Sequence, residues 1–392
     1  MSRSYDKILE EVRNRLLTAA EEISPEQHKQ FIVYLLSPYF VNQDILNEFA
    51  VDLLAPEAVN LVGINDDPWT KEMFSKVLRE HQTAAKLNST SCFAGCASWD
   101  AKIRHASSKY VSAINLNVDL EGLSLEDYQY EIFRNIGALI EANIQPYLRE
   151  LLLQNRICRG KNNPTANLKT MKLGVVVNEL WQCSDYKELF APLPWGIRLN
   201  QWRNIAQHHN TRVENNEVVG TYSQGDEELE IVLTREELFD VFKRIQSILS
   251  VMKGAYSIFT IDHIYDLQPY ITNTTDTRSD VKIFQMASAF ATQGFDLQDI
   301  SIDENTVTVI LKDIIPLPED GDKREHNLKR IIHTAQFICV IRAYFPVDVI
   351  KIEHFDNQGN LRCKIKGKGN DCETEEAIEI GGIPLRKLEF SL

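Results

Sequence analysis

The stretch EDYQYEIFRNIGALIEANIQPYLRELLLQN, residues 126–155, decides the fold of the central part of this chain. Ser124 followed by Asp127 is a helix-capping signal, and the apolar residues that come after it recur at helical spacing. The stretch therefore predicts one long helix that begins close to Ser124.

Three more helical segments follow within residues 122–265. They are NLKTMKLGVVVNELWQ (167–182), a segment from about Trp195 to His209, and TREELFDVFKRIQSILSVMKGAYSIF (234–259). Thr234 and Glu237 form a capping signal for the last helix, and GTYSQGDEELEIVL (220–233) before it predicts a short hairpin. Four helices joined by short connections, with one insertion, predict an antiparallel four-helix bundle over residues 122–265.

The flanking regions follow different patterns. Residues 1–121 are predicted to be a mostly helical domain to which we assign no role, with VSAINLNVDL (111–120) as a candidate strand. Residues 266–280 are polar and Thr-rich and predict a linker. Residues 281–392 predict a small α+β domain of two helix–hairpin units, with helices near 281–293 and 326–344. The predicted fold class is therefore α+β, multidomain and mainly helical.

The composition bounds the class of protein. The chain has 392 residues, of which 44% are hydrophobic and 25% charged, as in soluble globular proteins. This excludes a disordered, collagenous or coiled-coil protein. No apolar run approaches the roughly 20 residues of a membrane-spanning helix, and the N-terminal sequence is charged. We expect a cytoplasmic protein with no membrane association.

The seven cysteines predict mostly buried, reduced thiols rather than a metal site. Cys92 and Cys96 form the tightest pair, and His81 and His105 flank them. A zinc site would need four ligands at recognisable spacing, and only one close pair is present. We therefore predict neither a metal nor a cofactor.

The positive charge is concentrated in one part of an acidic chain. The formal net charge is −14, which argues against a protein that coats nucleic acid non-specifically. From Arg149 to Arg212, however, ten basic residues stand against four acids, a local balance of +6. A locally basic site on an acidic body is thus compatible with the composition.

The third predicted helix contains LNQWRNIAQHHN (199–210). Asn204 and His208 are four residues apart and so share a helix face, while the long side chain of Arg203 can turn toward the same cleft. Leu199, Trp202, Ile205 and Ala206 occupy the opposite arc and predict the buried face. A histidine of near-neutral pKa can transfer protons at pH 7, and an arginine can stabilise charge that develops on a phosphate.

In these residues, the chain resembles the HEPN ribonucleases. Their motif is an arginine, a polar residue and then a histidine on the third helix of a four-helix bundle, and Arg203-Asn204-x3-His208 fits it over residues 122–265. The resemblance implies metal-independent cleavage of RNA, with attack of the 2′-hydroxyl and a 2′,3′-cyclic phosphate product. It implies that Arg203 stabilises the phosphorane, that His208 acts as acid and base and that Asn204 positions. His209 remains an alternative base.

The resemblance also implies partners. HEPN domains pair, so we expect a homodimer or a higher even oligomer through the bundle, with tRNA or mRNA as substrate. A role as toxin or antiphage effector, with an inhibitor or activator protein, follows from the same likeness. Asn210 and Thr211 stand where related toxins carry a modified tyrosine, which argues against that form of control. The predicted RNA-binding residues are Lys169, Lys172, Arg198, Arg212, Arg362, Lys364 and Lys366.

Two alternatives stay open at this point. Arg203 could pair with a bundle carboxylate such as Glu179, and the protein could be a non-catalytic HEPN module that dimerises and binds a partner or nucleotide. Arg362, Lys364, Lys366 and Lys368 alternate with apolar or small residues, which on a strand places four cations on one face. That face could be a solvated surface or a contact for the RNA backbone.

Overall fold

The computed structural model describes residues 5–13, 25–51, 53–114, 122–208, 210–225, 227–271, 279–316, 323–379 and 382–391. The chain forms two compact units. The first comprises Met1–Pro38, Leu46–Val59 and Arg278–Leu392, and the second comprises Tyr39–Ile45 and Asn60–Thr277. The boundary predicted between residues 121 and 122 lies within the second unit, and the last segment of the first unit begins at Arg278.

The described secondary structure confirms a mainly helical α+β chain. The helices before residue 115 are α1 (Asp6–Val12), α2 (Pro25–Leu36), α3 (Gln43–Phe49), α4 (Ala55–Asp66), α5 (Pro68–Leu87) and α6 (Ser89–Ile114). Then come α7 (Leu125–Ala138), α8 (Gln145–Cys158), α9 (Leu173–Cys183), α10 (Leu199–Gln207), β1 (Thr211–Glu214), β2 (Glu217–Gln224), β3 (Glu227–Leu233), α11 (Arg235–Asp262) and α12 (Ile264–Leu267). The last elements are α13 (Ser279–Thr292), β4 (Phe295–Ile302), β5 (Thr306–Asp313), α14 (Lys323–Tyr344), β6 (Val349–Phe355), β7 (Leu361–Lys368), α15 (Glu375–Glu379) and β8 (Glu389–Ser391).

The candidate strand at 111–120 was wrong over its first four residues, because α6 continues as a helix to Ile114. The rest of that segment lies outside the described residues, as does most of the predicted linker at 266–280. The described start of the linker is helical in α12 and in a 3₁₀ turn at Gln268–Tyr270.

The second unit unites helices from both sides of the predicted boundary. Helix α11 packs against α5 and α7, and α5 also packs against α6 and α8. The apolar face of α5, with Phe74 and Val77 fully buried, is covered by these helices. Because the helices of residues 60–114 bury their apolar faces on α8 and α11, they are part of the same core and not a separate domain.

Short-range signals set the ends of the helices in this unit. The Ser124 hydroxyl accepts the backbone N–H of Asp127 at 3.2 Å, and α7 begins directly after it. Thr234 and Glu237 form a reciprocal capping box at the start of α11. The long helix predicted from 126 is continuous as α7 and α8, but a π-helical turn at Leu139–Ile144 joins them.

The insertion before α11 is a three-stranded antiparallel sheet in the order β1-β2-β3. The predicted hairpin corresponds to β2 and β3, and β1 is an additional strand that begins immediately after the histidine segment. Strand β2 packs on α10 at Gly220, where an added Cβ would lie 3.3 Å from Ile205. The sheet is therefore anchored to the helix that carries the motif.

The first unit contains a five-stranded sheet in the order β4-β5-β6-β7-β8. The two predicted hairpins are β4–β5 and β6–β7, and β5 pairs with β6 in parallel because α14 connects them. Helices α13 and α14 pack on the sheet, where Phe290, Phe295 and Phe337 form an aromatic core with ring centroids 4.3 and 5.1 Å apart. The elements of residues 279–368 follow one another as helix, two strands, helix and two strands.

Candidate functional site

Helix α10 displays the motif because only its opposite face is apolar. Leu199, Trp202 and Ile205 are fully buried, and Ala206 is nearly so. Helix α7 approaches α10 closely at Gly137, since an added Cβ there would lie 3.2 Å from Ala206. The predicted inner face of the helix is therefore confirmed, and Arg203 and Asn204 are left half-buried on the other side.

Arg203 forms the centre of a small polar network. Its Nε donates to the Glu141 carboxylate at 2.8 Å, and its Nη1 donates to the Asn204 side-chain oxygen at 3.1 Å. The side chains of Arg203 and Glu141 are 27% and 38% exposed, so both reach solvent. Glu141 lies in the π-helical turn between α7 and α8, a type of helix distortion that is frequent at functional sites.

His208 lies at the C-terminal end of α10 and is exposed. Its backbone N–H donates to the Asn204 carbonyl at 3.0 Å, which places the two residues one helical turn apart as predicted. Arg203 and Asn204 thus lie in the second half of α10, and His208 directly follows its last residue. His209, the alternative base, lies outside the described residues.

A basic cluster lies beside Glu141. Burial lowers the pKa of Arg149, and the charge of Glu141 opposes that shift. Burial and the neighbouring charges of Lys169 and Arg149 lower the pKa of Lys102. These interactions place Lys102 of α6, Arg149 of α8 and Lys169 of the α8–α9 loop near one another. Lys169 was predicted as an RNA contact, whereas Lys102 was missed because it is far away in sequence and only the fold brings it there.

The other predicted basic residues of this unit have separate surroundings. Lys172 is exposed at the start of α9. Arg198 donates to the Asn178 side chain at 3.0 Å and lies over the Trp181 ring, which fixes it at the start of α10. Arg212 is exposed on β1, where Glu214 and Glu230 pair with it. Arg212 is therefore partly neutralised, a feature that the position of the residue in the sequence does not reveal.

The structure rules out Glu179 as the partner of Arg203. Glu179 instead binds Arg156 at 2.6 Å and Arg159 at 2.8 Å. The hydrogen bond from Arg156, together with Arg159, outweighs the effect of burial and lowers the pKa of Glu179 to about 2. The carboxylate that pairs with Arg203 is that of Glu141. Glu141 lies within the segment that was predicted as one continuous helix.

Arg362 was predicted as an RNA contact, and the structure corrects this. The β6–β7 ladder shifts register between His354 and Phe355, where Leu361 and not Arg362 faces Phe355. A β-bulge of this kind redirects a side chain, and the Arg362 side chain is only 8% exposed. It binds the buried Asp313 carboxylate at 2.5 Å. Three of the four predicted cations therefore remain on the outer face: Lys364, Lys366 and Lys368.

Cys92, Cys96 and His81 belong to a buried hydrogen-bonded network. His81 binds Glu150 at 2.8 Å, and the Cys96 thiol donates to the same carboxylate at 3.3 Å. Burial favours neutral His81, but the charge and hydrogen bond of Glu150 outweigh it and raise the pKa of His81 to about 9. His105 is exposed. Within the described ranges, no group of three or more His, Cys, Asp or Glu residues is arranged to hold a metal ion.

Comparison with known proteins gives no match to this chain among family models, curated proteins or solved structures. Among the helices that the structure describes, none is both long and apolar enough to cross a membrane.

Proposed function

We propose that this chain is an endoribonuclease of the HEPN type that cleaves RNA without a metal ion. The observation that carries the proposal is the joint display of Arg203, Asn204 and His208 at the exposed end of α10. The proposal extends to the bundle: α7–α8, α9, α10 and α11 would be the four HEPN helices, with β1–β3 as the insertion.

The chemistry follows from the residue types. The 2′-oxygen of a ribose attacks the adjacent phosphorus, the bond to the 5′-oxygen breaks, and a 2′,3′-cyclic phosphate and a 5′-hydroxyl are left. His208 would accept the 2′-hydroxyl proton or return a proton to the leaving oxygen. Arg203 would stabilise the negative charge of the phosphorane. Its Nη2 has no hydrogen bond to a described residue and is free to meet a phosphate oxygen.

One feature of the surroundings supports an RNA substrate. Lys102, Arg149 and Lys169 form a basic cluster. Glu141 interacts electrostatically with Arg149 of this cluster and forms an ion pair with Arg203. Phosphate contacts of this kind supply most of the affinity of a protein for nucleic acid backbones. Glu141 would act as a positioning residue, since its bond to Nε, together with the bond from Nη1 to Asn204, holds the guanidinium in one orientation.

One protomer would contribute half of a paired cleft. In a symmetric dimer, the same surface patch of both protomers meets, so two copies of α10 would bring two Arg203–His208 sets together. The proposed active species is accordingly a homodimer or a higher even oligomer. A role as a cytoplasmic toxin or antiphage effector remains part of the proposal that rests on the HEPN resemblance.

A non-catalytic role is the second candidate, and the Arg203–Glu141 ion pair is the observation that favours it. An arginine neutralised by a carboxylate is a common structural pair. In that reading, the bundle would dimerise and bind a partner or a nucleotide, and Arg203 would only stabilise the contact between α10 and the π-helical turn.

The test is incubation of the purified protein with total tRNA and mRNA in excess EDTA. We expect cleavage by the wild type. Arg203→Ala should lose about 100- to 1000-fold of the rate because it removes one donor to the phosphorane, and His208→Ala should lose at least about 100-fold. The controls are Arg134→Ala and His105→Ala, which remove exposed side chains of the same types. Equal activity of all variants would refute the site. If the purified enzyme needs a trigger, the toxicity of the same variants on expression is compared instead.

A further inference from the structure

The five-stranded sheet of the first unit has one face covered by helices and one face open to solvent. On β5, Val307, Val309 and Leu311 are buried, while Thr306 and Thr308 are partly exposed. Strands β6 and β7 alternate in the same way. Lysines dominate the open side of these two strands. We call Lys351, Lys364, Lys366 and Lys368 the lysine face.

The pairing of the strands brings these lysines together. Lys351 of β6 lies directly opposite Lys366 of β7, and its other neighbour, across the parallel ladder, is Thr308. Directly opposed side chains have Cβ atoms about 5 Å apart, and like charges at such positions destabilise a sheet. The repulsion between Lys351 and Lys366 thus destabilises the free sheet, and an anionic ligand bound between them would remove this repulsion.

Only part of this charge is neutralised within the sheet. Glu353 binds Lys364 at 2.6 Å, and Glu389 binds Lys366 at 2.9 Å. Lys351 has no carboxylate partner among the described residues, and Lys368 is opposite Val349. Four lysines against two glutamates leave a balance of +2 on one face of a protein whose net charge is −14.

From this arrangement, we propose that the lysine face binds the phosphate backbone of RNA, as a docking surface separate from the residues of α10. Lysine ammonium groups bind phosphate oxygens and do not by themselves read bases, so the lysine face points to contacts with the RNA backbone. Binding would then be independent of sequence and strongly dependent on salt. The choice of RNA as the polyanion rests on the proposed function, but binding at this face does not require cleavage.

The experiment measures the binding of a short fluorescein-labelled single-stranded RNA by anisotropy, in EDTA, with the full chain carrying His208→Ala. We expect Lys351→Gln with Lys368→Gln to weaken binding about tenfold at low salt and to reduce the slope of log K against log salt by about 1.4, the value for two phosphate contacts. Glu353→Gln with Glu389→Gln should tighten binding several-fold, because each releases a lysine.

The matched control is Lys323→Gln with Lys329→Gln, which removes the same charge from exposed positions of α14 in the same unit. Equal weakening by the control pair, or no RNA binding at all, would overturn the proposal. Lysine-dependent binding to phosphatidylglycerol vesicles without binding to RNA would overturn it as well. RNA binding that depends on these lysines in a protein that never cleaves RNA would support the docking surface and refute the nuclease, so the two failures are distinguishable.

Discussion

Glu141 is the residue whose role most clearly separates a catalytic from a structural account of Arg203. Its carboxylate holds the Arg203 Nε at 2.8 Å, and both side chains reach solvent. A partly exposed ion pair of this kind contributes only about 0–1 kcal/mol to stability. Loss of the pair should therefore leave the melting temperature almost unchanged, while any effect on activity reports on the position of the guanidinium.

We predict that Glu141→Ala lowers kcat about tenfold and at the same time lowers KM for RNA. The rate falls because Arg203 is no longer held in one orientation, and the affinity rises because a negative charge is removed next to Lys102, Arg149 and Lys169. Glu141→Gln is the matched variant: its amide oxygen still accepts from Nε, so kcat should stay close to that of the wild type. If Glu141→Ala increased kcat, the carboxylate would be an inhibitory partner and not a positioning one.

We predict that the first unit is less stable in mild acid because of two of its histidines, His333 and His354. Burial, and then the charge of the adjacent arginine, lowers the pKa of His333 and of His354 to about 4. The unfolded chain therefore binds these protons at a higher pH than the folded chain. The stabilising effect is fully present above about pH 6.5 and is lost as the pH falls from there to about 4.

The measurement is urea unfolding of the protein at pH 7.5 and at pH 5, followed by a spectroscopic signal that reports on the first unit. We expect the free energy of unfolding to fall by up to about 2 kcal/mol for each of the two histidines at the lower pH, since one pH unit within the window corresponds to about 1.4 kcal/mol for each group. The double variant His333→Gln, His354→Gln should lose most of this pH dependence. Unchanged dependence in that variant would show that other groups cause it.

At the scale of the elements, Asp313 holds the sheet and α14 together. It is fully buried and accepts hydrogen bonds from Arg330 of α14 at 2.9 and 3.0 Å and from Arg362 of β7 at 2.5 Å. Burial disfavours the carboxylate, but the bonds and charge of Arg330 outweigh it and keep the pKa of Asp313 below its ordinary value. One carboxylate thus neutralises part of the charge of two buried guanidinium groups.

Asp313→Asn should therefore destabilise the first unit by about 3–5 kcal/mol, because the removal of one partner leaves buried charge uncompensated. The denaturant midpoint of unfolding measures this change. Glu304→Gln, an exposed acid in the turn between β4 and β5, is the control and should stay within about 0.5 kcal/mol of the wild type. A loss of less than about 1 kcal/mol in Asp313→Asn would contradict the proposed role of Asp313.

Elements with strong local signals were predictable, and those set by distant contacts were not. The capping residues Ser124 and Thr234 marked two helix starts, and period-two alternation marked β5, β6 and β7. Strand β1 was missed, although Asn215 and Asn216, both at positive φ, form the tight turn that joins it to β2. Adjacent asparagines before an alternating segment are a signal that could have revealed it.

The bulge at Arg362 shows a limit of sequence patterns. Strict alternation placed Arg362 with the lysines, but one register shift moves it to the buried face beside Asp313. No local feature of the sequence predicts this register shift, because the shift depends on the buried carboxylate of Asp313, 49 residues earlier. In the same way, Lys102 joins Arg149 and Lys169 only through the packing of α6 on α8.

At the scale of the whole molecule, the division into units could not be predicted from composition. The second unit takes in Tyr39–Ile45, which Leu46–Val59 of the first unit separates from the rest of it along the chain. Asp262 at the end of α11 explains this, since its carboxylate accepts the backbone N–H groups of Val41 and Asn42 at 2.9 and 2.8 Å. The proposed RNA contacts are local basic surfaces within an acidic molecule, so we expect RNA binding to weaken steeply as salt is added.

The identity of the RNA ends left by the purified protein in excess EDTA tests the proposed cleavage directly. The proposed mechanism predicts a 2′,3′-cyclic phosphate on one fragment and a 5′-hydroxyl on the other, with neither product formed by His208→Ala. A 3′-hydroxyl end, or the same ends in equal amount from His208→Ala, would contradict attack by the 2′-hydroxyl at the α10 site.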